Sequence, residues 1–284
     1  RTALMTEGFF TGKISFTSSE CGTSSKVNLR IGNYVNYLQV TGGAASRPKL
    51  GLAKGIIQSF VNTTDGVRFG AMIFNSSEGG RLLREIRDMT STNRADLHAA
   101  IGGLSADTWT PLAETLYEAA LYYRGADSYF NPGTKYRSPI QVWCQKNYVI
   151  VITDGESTQD RNTILKSIGT QGDVDGDQRE PGLAKEVFYE SEGSDYLDDV
   201  ANYWHKNDLR SDLQDAQNIT TYTIGFTINS PLLERTATYG GGKYFYCDNA
   251  QEFIVAFQSI IDEILSKSTS YVAPVVPISQ MEKT

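Results

Sequence analysis

The sequence predicts an α/β fold in which helices cover both faces of a doubly wound, mostly parallel β sheet. Residues 148–152 form a continuous apolar run, Tyr-Val-Ile-Val-Ile, which is typical of a parallel strand buried on both faces. Segments with strand-like and helix-like patterns alternate along the chain, and the spacing between them suits βαβ units. A parallel sheet covered by helices is the arrangement that satisfies both observations.

The individual elements follow from the period of the apolar residues. Helical spacing predicts helices over residues 46–61, 110–123, 196–209, 231–240 and 250–267. Alternation and continuous apolar runs predict strands over residues 67–75, 147–154, 218–228 and 243–247. In the last helix Phe253, Phe257 and Ile260 share one face, so this helix is expected to pack on the sheet.

The two ends of the chain differ in composition from the part between them. Residues 1–32 are rich in Ser, Thr and Gly, and they are interpreted as an N-terminal excursion of the domain. The domain itself is predicted over residues 33–268, with an acidic insertion at about 159–194. Residues 269–284 contain prolines and no periodic pattern, which predicts a linker toward a further domain.

Composition excludes several classes of function. The chain of 284 residues has 26 Lys and Arg against 33 Asp and Glu, a net charge of −7, which argues against nucleic acid or an anionic membrane as the main partner. No apolar run is long enough to predict a membrane span. The three cysteines have no C-x-x-C spacing and the two histidines, His98 and His205, have no ligand spacing, so zinc and thioredoxin-type sites are not predicted.

A carboxylate follows the apolar strand directly. Asp154 stands where ligands bind in doubly wound sheets, and Gly155 is expected to let the chain turn sharply there. In a second loop, Thr110 precedes Pro111 at the start of a predicted helix. A hydroxyl and a carboxylate from two strand-end loops are ligands for a hard cation, but each is also a common helix-capping residue, and both interpretations stay open.

A second acidic cluster lies in the sequence GDVDGDQREPG. Asp173, Asp175 and Asp177 alternate along a predicted turn and Glu180 follows them. Three like charges within five residues favour a bound cation, so Ca²⁺ is predicted here, with the three aspartates as core ligands and Glu180 as a further one. The match to an EF-hand loop is partial, and a solvated acidic loop is the alternative.

Seven strings in order carry a family resemblance: IGNYVNYL, VRFGAMIFN, TPLAETLYEA, CQKNYVIVITDGE, DGDQREPG, TTYTIGF and YFYCDNAQEF. Together they resemble the N-terminal domain of the type IV pilus tip adhesins, the PilC/PilY type. TPLAETL, TDGE and the order of elements also resemble the von Willebrand factor A domain, which is Rossmann-like. The resemblance covers the chain from about Asn33 onward and implies a bacterial protein at the cell surface, on the pilus tip, with a periplasmic or outer-membrane location as the alternative.

The resemblance also assigns roles to site residues. Thr110 matches the second-loop threonine of the family's metal-ion-dependent adhesion site, and Asp154 matches its third-loop aspartate. The family's D-x-S-x-S motif, which ends the first strand, does not occur in this sequence. By the resemblance the chain starts after that strand, so the adhesion site is predicted to be incomplete, with Mg²⁺ or another divalent cation bound only if the missing strand is supplied.

The function implied is that of a non-enzymatic adhesin domain that acts in attachment and in pilus assembly or its regulation. The expected partners are minor pilins or other pilus tip components, host or abiotic surface ligands, and the C-terminal domain of the same protein. A metal-dependent hydrolase with Asp154 or Glu156 as base is one alternative, although the sequence has no G-x-S-x-G, H-E-x-x-H or Walker motif. A purely structural spacer is the other.

The cysteines allow one internal disulfide at most. Cys144 precedes its strand and Cys247 follows its strand, so they are expected at opposite edges of the sheet, about 17–20 Å apart and beyond disulfide reach. Cys21 with Cys144 is therefore the predicted pair, and a location at the cell surface would tolerate that bond.

Overall fold

The computed structural model describes residues 49–172 and 191–269 of the chain. The helices of this part are α1 (Lys49–Thr63), α2 (Ser91–Gly102), α3 (Leu112–Arg124), α4 (Thr163–Gly172), α5 (Leu197–Lys206), α6 (Pro231–Tyr239) and α7 (Ala250–Thr269). Its strands are β1 (Arg68–Phe74), β2 (Gly80–Asp88), β3 (Asn147–Thr153), β4 (Ile219–Phe226) and β5 (Gly241–Cys247).

Three of the strands form a parallel sheet in the order β3-β4-β5. Asn147 lies opposite Ile219 at the start of the β3–β4 ladder, and Thr153 lies opposite Gly225 at its end. β5 continues the sheet with the same direction, with Cys247 opposite Phe226. All three strands therefore end at one edge, and the predicted parallel sheet is confirmed.

Helices cover both faces of this sheet, and β3 shows why the sequence requires it. Val149 and Val151 pack into a core formed with α3, α4, α5 and α6. Tyr148, Ile150 and Ile152 pack into a second core, formed with α1 and α7. Since successive side chains of a strand point to opposite faces, a run without polar residues must be covered on both sides.

The remaining two strands form an antiparallel hairpin, β1-β2, that packs against the same two cores. Met72 and Phe74 of β1 contact the first core, and Phe69 contacts the second. β1 was predicted from its apolar alternation, whereas β2, α2 and α4 were not. The sequence of β2, GRLLREIRD, has five charged side chains beside Leu82 and Ile86, which are the residues that pack inward on the first core.

β3 is less buried than its apolar sequence predicts. Tyr148 to Ile152 are all half-buried, whereas Tyr222 and Ile224 of β4 are fully buried. The reason is that β4 is the central strand and β3 is an edge strand of this sheet. Within the described ranges no strand pairs with the other edge of β3 or with the edge of β1 that faces away from β2.

A side chain of α3 also bonds directly to the backbone of β3. Tyr123 of α3 donates a hydrogen bond to the Tyr148 carbonyl at 2.8 Å.

Several predicted segments lie partly or wholly outside the described residues. The N-terminal excursion, residues 1–32, is outside them, as is the linker beyond Thr269. The predicted insertion at about 159–194 contains α4, a helix that its acidic composition did not indicate. No helix of the described part is long and apolar enough to cross a membrane.

The hydrogen bond from Tyr123 to β3 provides a test of this packing. Tyr123→Phe removes one hydroxyl from a buried site and leaves the Tyr148 carbonyl without that donor, which is expected to lower the free energy of unfolding by about 1–3 kcal/mol. Tyr129→Phe is the matched control, because Tyr129 is 45% exposed. Urea unfolding of both variants measures the difference, and an equal effect of the two would contradict the assigned role.

Candidate functional site at the carboxyl edge of the sheet

Asp154 lies immediately after the last residue of β3 and points to solvent. Its side chain is 56% exposed, and the ammonium of Lys49, the first residue of α1, lies 3.6 Å from its carboxylate. An ion pair between two exposed groups contributes about 1 kcal/mol at most. The carboxylate is therefore accessible, and its described neighbour is a cation on a flexible side chain.

The turn after β3 is made by a side chain. The Thr153 hydroxyl accepts a hydrogen bond from the Gly155 amide at 3.2 Å and donates one to the Gly155 carbonyl at 2.9 Å. Gly155 itself does not adopt a positive φ, and a Cβ atom there would meet nothing within 4 Å. Gly155 was expected to let the chain turn sharply, but its conformation is open to other residues and the Thr153 hydroxyl closes the turn.

Thr110 is joined to the same loop by two backbone contacts. Its amide donates to the hydroxyl of Thr158 at 2.8 Å, and the Thr158 amide donates to its carbonyl at 3.1 Å. Its own hydroxyl makes no hydrogen bond within the described part of the chain. Since Thr158 follows Asp154 closely in the sequence, the two predicted ligands lie in loops that are bonded to each other.

The capping role considered for Thr110 is filled by a different residue. Helix α3 begins at Leu112, and the residue before it, Pro111, makes no side-chain cap. Instead the carboxylate of Asp160 accepts hydrogen bonds from the amides of Ala113 and Glu114, both at 2.9 Å. Asp160 in this way provides acceptors for two of the free amides at the start of the helix. It lies 47 residues after Ala113 and 46 residues after Glu114 in the sequence.

Asp160 is completely buried and has one further donor. The Ser157 hydroxyl donates to its carboxylate at 2.7 Å, and this hydroxyl also accepts from the Ser194 amide at 3.2 Å. Burial raises the pKa of Asp160 to about 7, against the effect of the hydrogen bonds from Ser157, Glu114 and Ala113. The positive end of the α3 dipole is the environment that favours its charged form.

A second buried carboxyl group, Glu114, connects α3 to the turn between β1 and β2 and, once more, to the loop that contains Asp160. It accepts from the Gly79 amide at 2.7 Å, in the turn between β1 and β2, and from the Asn162 amide at 2.9 Å, before α4. Burial, followed by repulsion from Asp160, raises the pKa of Glu114 to about 8. The start of α3 is thus the point at which three loops of the carboxyl edge are fastened together.

The sequence indicated these two carboxyl groups only in part. Glu114 is an acidic residue in the first turn of a helix, which is a recognisable stabilising position. Asp160 gives no comparable signal, since the helix that it caps lies far away in the sequence. Glu156, considered as a base in the hydrolase alternative, accepts from the Ser230 hydroxyl at 3.3 Å, and partial burial raises its pKa.

The described residues do not fit a magnesium site by themselves. Thr110 and Asp154 offer one hydroxyl and one carboxylate, and Mg²⁺ requires near-octahedral oxygen coordination and gives up its waters reluctantly. No group of three His, Cys, Asp or Glu residues that could hold a metal ion occurs among residues 49–172 and 191–269. The predicted calcium ligands, Asp173, Asp175, Asp177 and Glu180, lie outside the described residues, and that site stays a prediction.

Two of the three cysteines are described. Cys144 is exposed, Cys247 is buried, and both carry free thiols in the structure. They lie at opposite ends of parallel strands, as predicted, since Cys144 precedes β3 and Cys247 ends β5. Cys21 lies outside the described residues, so a bond between Cys21 and Cys144 stays a prediction.

No protein-family model and no curated protein matches the chain. Similar solved structures include a von Willebrand factor type A protein from Catenulispora acidiphila, with 16% identity over 78% of this chain and a TM-score of 0.45. This chain spans 38% of that protein. The vWF domain of the type V pili tip protein Mfa5 from Porphyromonas gingivalis is 12% identical, with coverages of 83% of this chain and 91% of that one and a TM-score of 0.45.

A third similar structure is the PilB minor pilin from Streptococcus sanguinis, with 16% identity, coverages of 81% of this chain and 56% of that one, and a TM-score of 0.46. At these identities and TM-scores the three likenesses carry no inference about function.

The buried carboxyl pair predicts a specific pH dependence. The pKa of Glu114 is raised in the folded protein to about 8, so its neutral form stabilises the fold at low pH, and this contribution is lost as the pH rises from about 4.5 through 8. Glu114→Gln removes the titration and is expected to flatten the fall in unfolding free energy between pH 5 and 8. Between pH 5 and pH 8 the unfolding free energy of the unmodified protein is expected to fall by at least about 1 kcal/mol more than that of Glu114→Gln, because a pKa difference of one unit corresponds to about 1.4 kcal/mol.

Urea unfolding at pH 5, 6, 7 and 8 measures this effect. Glu234→Gln is the control, because Glu234 is exposed on α6 and its substitution should leave the slope of the unmodified protein unchanged. A Glu114→Gln profile parallel to that of the control would show that Glu114 is charged throughout.

Proposed function

We propose that this chain is a non-enzymatic adhesin domain of a pilus tip-associated surface protein, and that it acts in attachment and in pilus assembly or its regulation through the carboxyl edge of its sheet. The seven motifs of the sequence support the assignment to pilus adhesins. The geometry of the carboxyl edge supports the choice of binding surface. The proposal places the protein outside the cell, at the pilus tip.

The observation that carries the proposal is the accessible carboxylate of Asp154 at the end of a core strand. A strand that packs into two cores ends on a side chain that is 56% exposed. Trp109, next to Thr110 in the adjoining loop, is 46% exposed. An accessible carboxylate and an exposed indole on firmly held loops are suited to contact a partner surface, since aromatic anchors dominate many interfaces.

The support beneath these residues is unusually firm for loops. Thr158 bonds the loop of Thr110 to the loop after β3, and Asp160 bonds the same loop to the start of α3. Loops held by buried hydrogen bonds lose little conformational entropy when a partner binds. Rigid presentation of Asp154 is the physical reason to expect binding at this edge.

Partner binding at this edge is also proposed to depend on a divalent cation. The family resemblance implies a divalent cation whose last ligand is an acidic side chain of the partner, but the described residues supply only two of the required oxygens. A cation at this edge would therefore need further oxygen ligands from outside the described residues. Ca²⁺ binding by the acidic loop is a separate prediction.

The proposed partners are minor pilins or other tip components, host or abiotic surfaces, and the C-terminal domain of the same protein. A metal-dependent hydrolase is the alternative that one observation favours, because Glu156 lies in the same loop as Asp154 and has a raised pKa. Such an enzyme would show turnover, whereas an adhesin would show binding only. A structural spacer would show neither.

Substitution of Asp154 separates these functions. Asp154→Asn keeps the size of the side chain and removes its charge, and it is expected to reduce attachment of piliated cells by at least about tenfold, the equivalent of about 1.4 kcal/mol in the contact. Adhesion of cells to a coated surface, with and without EDTA, is the measurement. Thermal unfolding should change little, because the ion pair with Lys49 is exposed.

Asp65→Asn is the matched control. Asp65 is also an exposed carboxylate with a cationic partner, Arg94, but it precedes β1 at the other end of the sheet. Loss of attachment in both variants would point to a general charge effect. Unchanged attachment in Asp154→Asn would leave the spacer as the better account, and hydrolysis that depends on Glu156 would favour the enzyme.

A further inference from the structure

A large cleft lies at the opposite edge of the molecule from Thr110 and Asp154. It has a volume of about 840 Å³ and is bordered by the start of β1, the end of β2, the end of α3 and the segment that leads into β3. The charged residues that line it are Arg68, Arg124, Arg137, Arg210, Glu85 and Asp212. A cleft of this size falls in the range of about 300–1,000 Å³ that is usual for ligand sites.

The charge of the cleft is opposite to that of the chain. Four of the lining residues are arginines and two are carboxylates, whereas the whole chain has a net charge of −7. A concave surface with charges of one sign in excess concentrates its electrostatic field and attracts ligands of the opposite sign. The cleft is therefore suited to an anionic ligand.

Two of the arginines are held in place by the protein. Arg68 donates from one guanidinium nitrogen to the Pro139 carbonyl at 2.8 Å and to the Gln145 side chain at 2.7 Å. Arg210 makes two hydrogen bonds of 2.7 Å to the carboxylate of Asp212. The guanidinium groups of Arg68 and Arg210 are therefore engaged within the protein. A ligand in the cleft would be bound by the other two arginines.

Arg124 and Arg137 are exposed, and within residues 49–172 and 191–269 neither is paired with a carboxylate. The guanidinium of Arg124 lies over the ring of Trp204, 5.3 Å from its centre, which restrains the side chain while its hydrogen-bond donors remain available. A guanidinium group binds a carboxylate through two parallel hydrogen bonds. Two such groups on one cleft match a ligand with at least two carboxylates.

Two exposed apolar side chains follow the cleft-lining residue Gln141 in the sequence. Gln141 lines the cleft, and the next two residues, Val142 and Trp143, are 51% and 47% exposed. Adjacent exposed apolar side chains favour a ligand that presents aliphatic or aromatic groups beside its charges. A peptide with acidic and apolar side chains meets both conditions, whereas inorganic anions meet only the first.

We propose that this cleft binds an acidic peptide segment of a partner protein, with Arg137 and Arg124 on its carboxylates and Val142 and Trp143 on an apolar side chain. The site is separate from the carboxyl edge and independent of the function proposed for Asp154. It would allow the domain to bind one partner at each end of its sheet.

A fluorescein-labelled peptide of alternating glutamate and leucine, six residues long, is the probe. Fluorescence anisotropy with the unmodified chain should show saturable binding that weakens as NaCl is raised from 50 to 300 mM, because salt screens exposed charges. Arg137→Gln should raise the dissociation constant at least tenfold. Arg81→Gln is the charge-matched control, since Arg81 is exposed on β2 outside the cleft, and it should change the constant less than twofold.

Three further variants secure the interpretation. Arg124→Gln should weaken binding in the same direction, and Arg137→Lys, which keeps the charge but loses the planar fork, should give an intermediate constant. Asp154→Asn should bind the peptide as the unmodified chain does, so the result is independent of the adhesion test. Circular dichroism melting of each variant confirms that the fold is retained.

Several outcomes would overturn the proposal. They are the absence of saturable peptide binding, an equal loss in Arg137→Gln and Arg81→Gln, and tighter binding of an oligogalacturonate of similar charge than of the peptide. The last result would assign the cleft to acidic glycans.

Discussion

The carboxylate of Asp160 is the interaction on which the arrangement of the carboxyl edge depends. It is buried, it accepts two amides at the start of α3 and one hydroxyl from Ser157, and it lies in the loop that contains Thr158. Because that loop follows β3 directly, the same carboxylate fixes the position of the parallel sheet relative to α3. Thr110, in the loop before α3, is then held beside the loop after β3 by its two bonds with Thr158.

This arrangement buries two carboxyl groups close together, which costs free energy. Burial raises the pKa of both Asp160 and Glu114, and repulsion from the Asp160 carboxylate raises the pKa of Glu114 further. The hydrogen bonds that they accept offset part of the cost, since buried polar groups without partners are expensive. The exposed Asp154 and the half-buried Thr110 therefore lie on loops that are held in place by the buried hydrogen bonds of Asp160.

Much of the fold could be predicted from apolar periodicity, because periodicity reports which faces of an element are buried. The parallel strand at 147–153, the helices at 112–124 and 250–269 and the order of the elements follow directly from it. β2 could not be predicted in this way, since charged residues interrupt its pattern, and α2 could not because its apolar residues are few. Tyr148 to Ile152 are half-buried although their run is apolar, because among residues 49–172 and 191–269 no strand pairs with the outer edge of β3, which the apolar run could not show.

For the site, sequence predicted the positions of Asp154 and Thr110 but not the residues that support them. A strand-end carboxylate is visible in sequence because it follows a continuous apolar run. The bond between Asp160 and the start of α3 is not, because it joins residues 46 and 47 apart through tertiary structure alone. The location of Asp154 at the end of a strand could thus be predicted from a local pattern, whereas the geometry of its loop depends on buried contacts between distant segments.

The measurement that tests the role of Asp160 most directly is amide hydrogen exchange at the first turn of α3. Amides at the start of a helix have no partner within the helix and normally exchange rapidly. If Asp160 accepts hydrogen bonds from the amides of Ala113 and Glu114, both should exchange slowly in the unmodified chain and become at least about tenfold faster in Asp160→Ala. Rapid exchange of these two amides in the unmodified chain would contradict that role.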